Sequence, residues 1–335
     1  MTRALSLFLV VSLVLGLPGS ARAYQTYGVR VNGRVVVLKW GQQPVRYYVT
    51  DRGVSGVRSD QFRAAAERAF STWQGVEGAS AAAQFVGFTS ADPFEDDGRV
   101  TLGFLSRPDL DRVLGATSFL VDNVTGEIVE TDVFLNSSFP WSVASGGESG
   151  RFDVESIILH ETGHLFGLGH SAIGETELRT GAGRRVIASE AVMFPIAFSA
   201  GNINGRELRP DDLAGLRELY PESASAGNMG AISGRVTKNG QAVIGAHVVA
   251  FNPQTGALVG NFTVDQQGSF SISGLEPGPH IVRVEPIDDA DLDSFFDDPL
   301  IPQVDVNFGV TYHDRLVVVP KGGGAESIEI KVTAK

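Results

Sequence analysis

The chain has 335 residues, of which 43% are hydrophobic, 20% charged and 9% aromatic. This composition is typical of a globular protein, and the length predicts about two domains. The formal net charge of -12 argues against a nucleic-acid partner, because phosphate backbones require a concentrated basic surface. The sequence contains no Cys, which excludes disulfides, thiolate metal sites and cysteine nucleophiles.

The N-terminus has the pattern of a secretory signal peptide. Arg3 precedes an apolar run over residues 4–17, and Ala21, Arg22 and Ala23 form an A-x-A cleavage site. The run is too short to cross a bilayer, which needs about 20 residues, and no other segment is apolar for longer. We therefore expect residues 1–23 to be a signal peptide. The mature protein would have no membrane span and would be secreted, with the periplasm as the alternative location.

The next elements mix strands with a few helices. Residues 24–50 have strand composition, with a hairpin predicted across Asn32 and Gly33. Ser59 is the expected cap of a first helix, whose apolar positions share one face: Phe62, Ala66, Ala69, Phe70 and Trp73. Short strands are predicted at 83–88, 99–104, 117–121 and 129–135. The pattern is that of an α+β domain.

Two further helices are indicated by their termini. Asp153 is a good cap for a helix that runs to about Phe166, where Gly167 ends it. Pro210 occupies the first position of a third helix, and Pro221 stops it. We assign residues 24–221 to a first domain, 222–228 to a linker and 229–335 to a second domain. Turn signals divide the second domain into strands every 8–12 residues, which indicates a β-sandwich.

One segment carries recognisable chemistry. His160 and His164 are four residues apart on the second helix, so both imidazoles project from one face. Gly167 then allows a left-handed turn that brings His170 back as a third ligand of one Zn²⁺. Glu161 is adjacent to the first ligand, where it can take a proton from a zinc-bound water that attacks a carbonyl group.

This H-E-x-x-H-x-x-G-x-x-H pattern resembles the signature of metzincin metalloproteases. Ser171 directly after the third His resembles the matrixin branch, as do Trp40, Trp73 and residues 208–220. The resemblance covers about residues 24–221. It implies a catalytic domain with a twisted mixed sheet and three helices, a single catalytic Zn²⁺, and Met193 as the structural Met-turn beneath the metal.

The chain also departs from matrixins. These proteins commonly hold a second, structural zinc with upstream His residues, but residues 24–159 contain no His. Calcium is a second candidate ion, with oxygen ligands from either of two acidic groups. The first group is Asp92, Glu95, Asp96 and Asp97, and the second is Asp122, Glu130 and Asp132. Solvated acidic loops are the competing interpretation of both groups.

The resemblance also implies how a substrate would bind. A peptide in extended conformation would pair with an edge strand at 114–119, so the candidate substrate-binding residues include Leu114, Gly115, Ala116 and Thr117. A pocket walled by residues 193–198, which include Pro195, would receive the side chain that follows the scissile bond.

Residues 230–286 resemble a carboxypeptidase-regulatory-like, transthyretin- or immunoglobulin-like β-sandwich. The shared residues lie in turns and strands, so this resemblance implies a fold and no activity. The domain is a candidate for binding a cell-surface or matrix ligand. Residues 285–298 contain seven acidic residues, and we expect a solvated loop there.

Together these features predict a secreted zinc metalloendopeptidase that hydrolyses protein or peptide substrates. The alternative is an exported binding or adhesion protein whose metzincin domain is a catalytically inert scaffold. The intact ligands and the intact Glu161 favour the enzyme.

Overall fold

The computed structural model describes residues 7–8, 26–31, 34–122, 124–180, 183–222, 227–296 and 300–335. Most of the expected signal peptide (1–6 and 9–23) lies outside the described residues, as do residues 24–25 and residues 223–226 of the expected linker. Within the described part of the chain, no helix combines the length and apolar character that a bilayer crossing requires.

A seven-stranded mixed sheet contains six strands of the first domain, and its seventh strand, β1, lies in the expected signal peptide. Its strand order is β1-β8-β9-β7-β5-β6, and β4 also pairs with β9. The central pairs are parallel, whereas β8 runs antiparallel to both of its neighbours. The strands are β1 (Leu7–Phe8), β4 (Lys39–Trp40), β5 (Val45–Thr50), β6 (Ala83–Thr89), β7 (Val100–Leu105), β8 (Gly115–Val121) and β9 (Glu127–Asn136).

The three predicted helices are present as α1 (Ser59–Gln74), α2 (Val154–Leu165) and α3 (Pro210–Leu219). Asp153 caps α2 as expected, since its carboxylate accepts a hydrogen bond from Ser156 N at 2.9 Å. The prediction that Ser59 caps α1 is wrong by one residue. Arg58 is the cap, and its backbone N–H is satisfied by the side chain of Gln61.

Aromatic side chains hold α2 in place through its backbone carbonyls. Trp73 Nε1 donates to Leu159 O at 2.9 Å, and Trp40 Nε1 donates to Leu165 O at 2.9 Å. The hydroxyl of Tyr220 donates to the carbonyl of the next residue, Phe166, at 2.8 Å. The last carbonyls of a helix have no partner within it, so the bonds to Leu165 and Phe166 satisfy the helix end, and all three bonds fix the position of α2.

Three small two-stranded sheets flank the seven-stranded sheet. The predicted N-terminal hairpin is confirmed by the pairing of β2 with β3, although its turn (32–33) lies outside the described residues. A hairpin of β12 and β13 was not predicted, because charged residues interrupt its alternation. The strands are β2 (Gly28–Val31), β3 (Arg34–Val37), β10 (Trp141–Ser142), β11 (Phe152–Asp153), β12 (Gly174–Arg179) and β13 (Gly183–Ser189).

The second domain consists of two β-sheets around an apolar core, as the sequence predicted. One sheet contains β14 (Gly230–Lys238), β15 (Gln241–Ala242), β18 (Ser269–Leu275) and β22 (Gly324–Val332). The other contains β16 (His247–Phe251), β17 (Leu258–Phe262), β19 (Gly278–Glu285), β20 (Thr311–Tyr312) and β21 (Val317–Val319).

Helix α3 belongs to both domains. Leu216 and Leu219 pack into the core of the first domain, whereas Ala214 packs into the core of the second. Gly274 allows this approach, because a Cβ at that position would lie 2.9 Å from Ala214 Cα. The two domains are therefore joined by a packed interface in addition to their covalent connection.

We predict that Asp153→Ala destabilises the first domain by about 3 kcal/mol or more. Besides capping α2, the buried Asp153 forms an ion pair with the partly buried Arg206, whose Nε lies 2.8 Å from Oδ2, and breaking such a pair leaves an uncompensated charge. Urea denaturation measures the change. Asp60→Ala, which removes an exposed pair with Arg58, is the control and should leave stability nearly unchanged. Equal effects of the two substitutions would contradict this assignment.

Candidate metal centre

The second helix and the turn after it bring the three predicted ligands together. His160 and His164 lie on α2, which ends at Leu165 with Phe166 as its cap, and Gly167 follows. Gly167 has a φ of 99°, and a Cβ there would overlap the carbonyl oxygen of Leu38, so the turn requires glycine. The chain reverses and places His170 Nε2 at 3.2 Å from His164 Nε2, which is itself 3.1 Å from His160 Nε2.

Each imidazole is oriented by a backbone carbonyl. His160 Nδ1 lies 2.8 Å from Val192 O, and His164 Nδ1 lies 2.8 Å from Leu168 O. His170 Nδ1 lies 2.6 Å from Ser294 O, in the second domain. Because a carbonyl oxygen can only accept, each Nδ1 carries the hydrogen. The three Nε2 atoms therefore present lone pairs to one another.

These lone pairs fit a tetrahedral zinc ion. With Zn–N distances of about 2.0–2.1 Å, the ligand nitrogens of such an ion lie about 3.3–3.4 Å apart, close to the separations observed here. Burial lowers the pKa of all three imidazoles, to about 3 for His170, so they are neutral ligands at pH 7. Among the residues that the structure describes, this is the one His, Cys, Asp or Glu group with metal-ligating geometry.

Glu161, the residue after His160 on α2, is 5% exposed. Its Oε2 accepts a hydrogen bond from Thr117 Oγ1 at 2.8 Å. Burial raises the pKa of Glu161 to about 8, and the bond from Thr117 opposes the rise. Gly115 allows β8 to approach, because a Cβ there would lie 3.0 Å from Glu161 Oε1.

Met193, the residue that the resemblance assigns to the Met-turn, packs against α2 at Gly163. It is fully buried, and Gly163 lets it pack against α2, because a Cβ on Gly163 would overlap Met193 Sδ. Asp212 accepts hydrogen bonds from Val192 N at 2.8 Å and Met193 N at 3.1 Å. Through Val192 O, the same backbone orients His160.

The remaining candidate residues are those expected to bind substrate, and they have backbone contacts or partial burial. Ala116 pairs with Phe134 of β9, and Leu114 accepts a hydrogen bond from Asn136 N at 2.8 Å. Pro195 is partly buried, two residues after Met193. Their contact with substrate stays a prediction, whereas Thr117 has the additional contact with Glu161.

Two of the acidic residues considered for calcium accept hydrogen bonds from the backbone. Glu130 accepts from Gly98 N at 2.5 Å, and Asp132 accepts from Thr101 N at 2.7 Å and from Phe94 N. Both carboxylates thereby bind the loop that contains Asp97. These contacts explain their burial without an ion.

Two residues near the site had no recognised role in the sequence. Asp211 and Asp212 are the acidic residues in the first turn of α3. In the structure, Asp212 holds the Met-turn and Asp211 accepts from Ser171 Oγ at 2.6 Å. The Asp-Asp pair after a Pro was visible in the sequence, but its partners are distant along the chain.

Comparison with known proteins gives the same assignment as the geometry. Residues 39–180 match the family model described as Matrixin, and residues 231–288 match the Carboxypeptidase regulatory-like domain. The first domain is a matrixin domain. The second is a carboxypeptidase regulatory-like domain, called the regulatory-like domain below. The match covers several separated motifs that the sequence had indicated.

Curated relatives of the matrixin domain are plant proteins. Metalloendoproteinase 1 of Glycine max is 30% identical over 175 residues, which are 48% of this chain and 46% of that protein. Metalloendoproteinase 5-MMP of Arabidopsis thaliana is 34% identical over 93 residues, 26% of this chain and 21% of that protein. The chain thus spans less than half the length of these relatives. Among solved structures, the Bacillus anthracis TIE protein aligns with a TM-score of only 0.21 at 16% identity, over 32% of this chain and 17% of that one.

We predict that Gly163→Ala destabilises the matrixin domain by about 1–3 kcal/mol. The new methyl group would overlap Met193 Sδ and lie 2.9 Å from Trp73 Cζ2, and overpacking of this kind outweighs the better helix propensity of Ala. Urea denaturation measures the change. Gly87→Ala is the control, because a Cβ there meets nothing within 4 Å. A Gly163→Ala protein as stable as the parent would contradict the close packing of the Met-turn.

Proposed function

We propose that the protein is a zinc-dependent metalloendopeptidase. The observation that carries the proposal is the convergence of three neutral Nε2 lone pairs, two of them from the helix that also contains the buried Glu161. The matrixin domain and the relatives named metalloendoproteinase support it. His160, His164 and His170 would hold the metal, with a fourth position left for the reaction.

Bound Zn²⁺ would supply Lewis acidity, which polarises a carbonyl group and lowers the pKa of water to about 7. Glu161 would take a proton from the attacking water on a carboxylate oxygen and deliver it to the leaving amine. Thr117 would hold the carboxyl group in position, since its hydroxyl donates to Oε2. Neither residue is needed as a metal ligand.

The substrate would bind along β8. In the described part of the chain, residues 115–118 pair with β9 on one side, and a strand partner on the other side occurs only at Phe119 and Leu120. The free edge can therefore accept an extended peptide by strand addition, next to Glu161. Pro195 and its neighbours after Met193 would contact the side chain that follows the scissile bond.

We propose in addition that the protein is exported after removal of residues 1–23, because the N-terminal pattern is that of a signal peptide. The domain limits at 24–221 and 229–335, with the linker at 222–228, belong to the same proposal. An inert exported scaffold is disfavoured, because Glu161 would have no function in it that explains its burial.

Two variants test the proposed function. Glu161→Gln should keep one zinc per chain yet cleave casein about 10²–10⁴-fold more slowly, because the general base is lost and the ligands remain. His164→Ala should lose both the zinc and the activity. Metal analysis and a casein assay with and without a chelator measure these outcomes.

Three results would contradict the proposed function. These are chelator-insensitive activity, a Glu161→Gln protein of normal rate, or two tightly bound zinc ions per chain. A parent protein that binds zinc and cleaves nothing would favour the inert scaffold.

We further predict that Thr117→Val shifts the acidic limb of the pH–rate profile to higher pH. The hydroxyl of Thr117 donates to Glu161 and lowers the pKa of that carboxyl group, so its loss raises the pKa. The base is then protonated up to a higher pH. Thr117→Ser keeps the hydroxyl and should leave the limb in place. Profiles that coincide for all three proteins would show that Thr117 does not affect the pKa of Glu161.

A further inference from the structure

The third candidate zinc ligand is hydrogen-bonded to the other domain. His170 Nδ1 lies 2.6 Å from the carbonyl oxygen of Ser294, whereas the acceptors for His160 and His164 lie within the matrixin domain. Ser294 ends a 3₁₀ turn, Leu292–Ser294, in the segment that follows β19. We call residues 286–296 the docking segment.

Ser171, the residue after His170, is linked to the regulatory-like domain through Asp211. Ser171 Oγ donates to Asp211 Oδ2 at 2.6 Å, and Asp211 Oδ1 accepts from Gly260 N of β17 at 2.8 Å. Asp211 is 1% exposed, so both bonds are shielded from water. The regulatory-like domain is therefore hydrogen-bonded, directly to His170 and through Asp211 to Ser171, which are consecutive residues in the loop after α2.

The docking segment is fixed by apolar packing. Phe295 and Phe296 are each 1% exposed, and their rings lie 5.4 and 5.2 Å from the ring of Phe262. Ala172 and Ile196 of the matrixin domain pack against the same cluster. The segment is thus part of an apolar core that both domains build.

Polar contacts join the segment to the unpredicted hairpin of β12 and β13. Thr176 N donates to Asp289 Oδ1 at 2.7 Å, and Thr176 Oγ1 donates to Asp289 O at 2.8 Å. Arg184 Nη1 donates to Asp288 O at 2.6 Å. The expectation of a solvated acidic loop is therefore wrong for Asp289 and for the backbone around it.

The interface also requires close approach at Gly260. A Cβ there would lie 2.5 Å from His247 Nε2 and 3.3 Å from Ile173 Cδ1 of the matrixin domain. Any larger residue would separate the two surfaces or displace a buried side chain. The two domains therefore pack closely together at Gly260, with no room for a side chain at that position.

We propose that the regulatory-like domain is a structural part of the zinc site. The carbonyl of Ser294 is a positioning group for His170, and the docking segment holds that carbonyl in place. Hydrogen bonds of this kind fix the tautomer and orientation of a ligating imidazole, and their loss typically weakens metal binding about 10–100-fold. This inference rests on the zinc site of the proposed function, and it does not depend on peptidase activity.

The first test compares Phe295→Ala with Phe308→Ala in the full chain. Both residues are buried Phe side chains of the regulatory-like domain, but Phe308 lies in the sandwich core and outside the docking segment. Zinc dissociation constants are measured by competition with a chromogenic chelator. Phe295→Ala should raise the constant about tenfold or more and change the visible spectrum of the Co²⁺-loaded protein. Phe308→Ala should leave both unchanged.

The second test uses a substitution that leaves the core intact. Asp289→Ala removes the acceptor of Thr176 N, and Asp293→Ala removes an equal charge from an exposed position beside Ser294. Asp289→Ala should weaken zinc binding more than Asp293→Ala, in the same direction as Phe295→Ala. This pair decides the question if Phe295→Ala does not fold.

Dissociation constants that are equal within each pair would overturn the inference and leave the proposed function standing. A parent protein that binds no zinc would contradict both. Zinc binding that depends on the docking segment, in a protein without peptidase activity, would support the inference alone.

Discussion

Three imidazoles that share one metal are oriented by the acceptors of their other ring nitrogens, which fix the tautomer and direction of each ring. In this protein all three acceptors are backbone carbonyls, so side-chain substitutions do not remove them directly. Their positions depend on how the backbone is folded. The geometry of the candidate zinc site is therefore a property of the surrounding fold as much as of the His residues.

The three acceptors come from three different parts of the chain. Leu168 lies in the turn made possible by Gly167, and Val192 lies in the Met-turn that Asp212 holds from α3. Ser294 lies in the regulatory-like domain. Local sequence, a distant helix and a second domain each orient one ring. A structural change in any of these three parts would alter the orientation of one imidazole and so the arrangement of the three Nε2 atoms.

Sequence patterns predicted the elements that obey a local rule. The helices follow apolar periodicity and capping residues such as Asp153, and the ligands follow the spacing of His160, His164 and His170. The docking segment could not be predicted in this way, because its acidic composition indicated exposure. Its burial depends on Phe295, Phe296 and a surface of the other domain. Contacts between distant residues, such as Asp211 with Gly260, leave no periodic signal.

Helix α3 has a further consequence, because its Ala214 side lies in one core and its Leu216 side in the other. A chain cut between residues 222 and 227 would lose its covalent connection, but the interface at Gly274 and Gly260 would remain. The two pieces would then behave as a noncovalent heterodimer. Domain shuffling by simple fusion would not reproduce this arrangement, since an exchanged partner would have to supply a matching surface for α3.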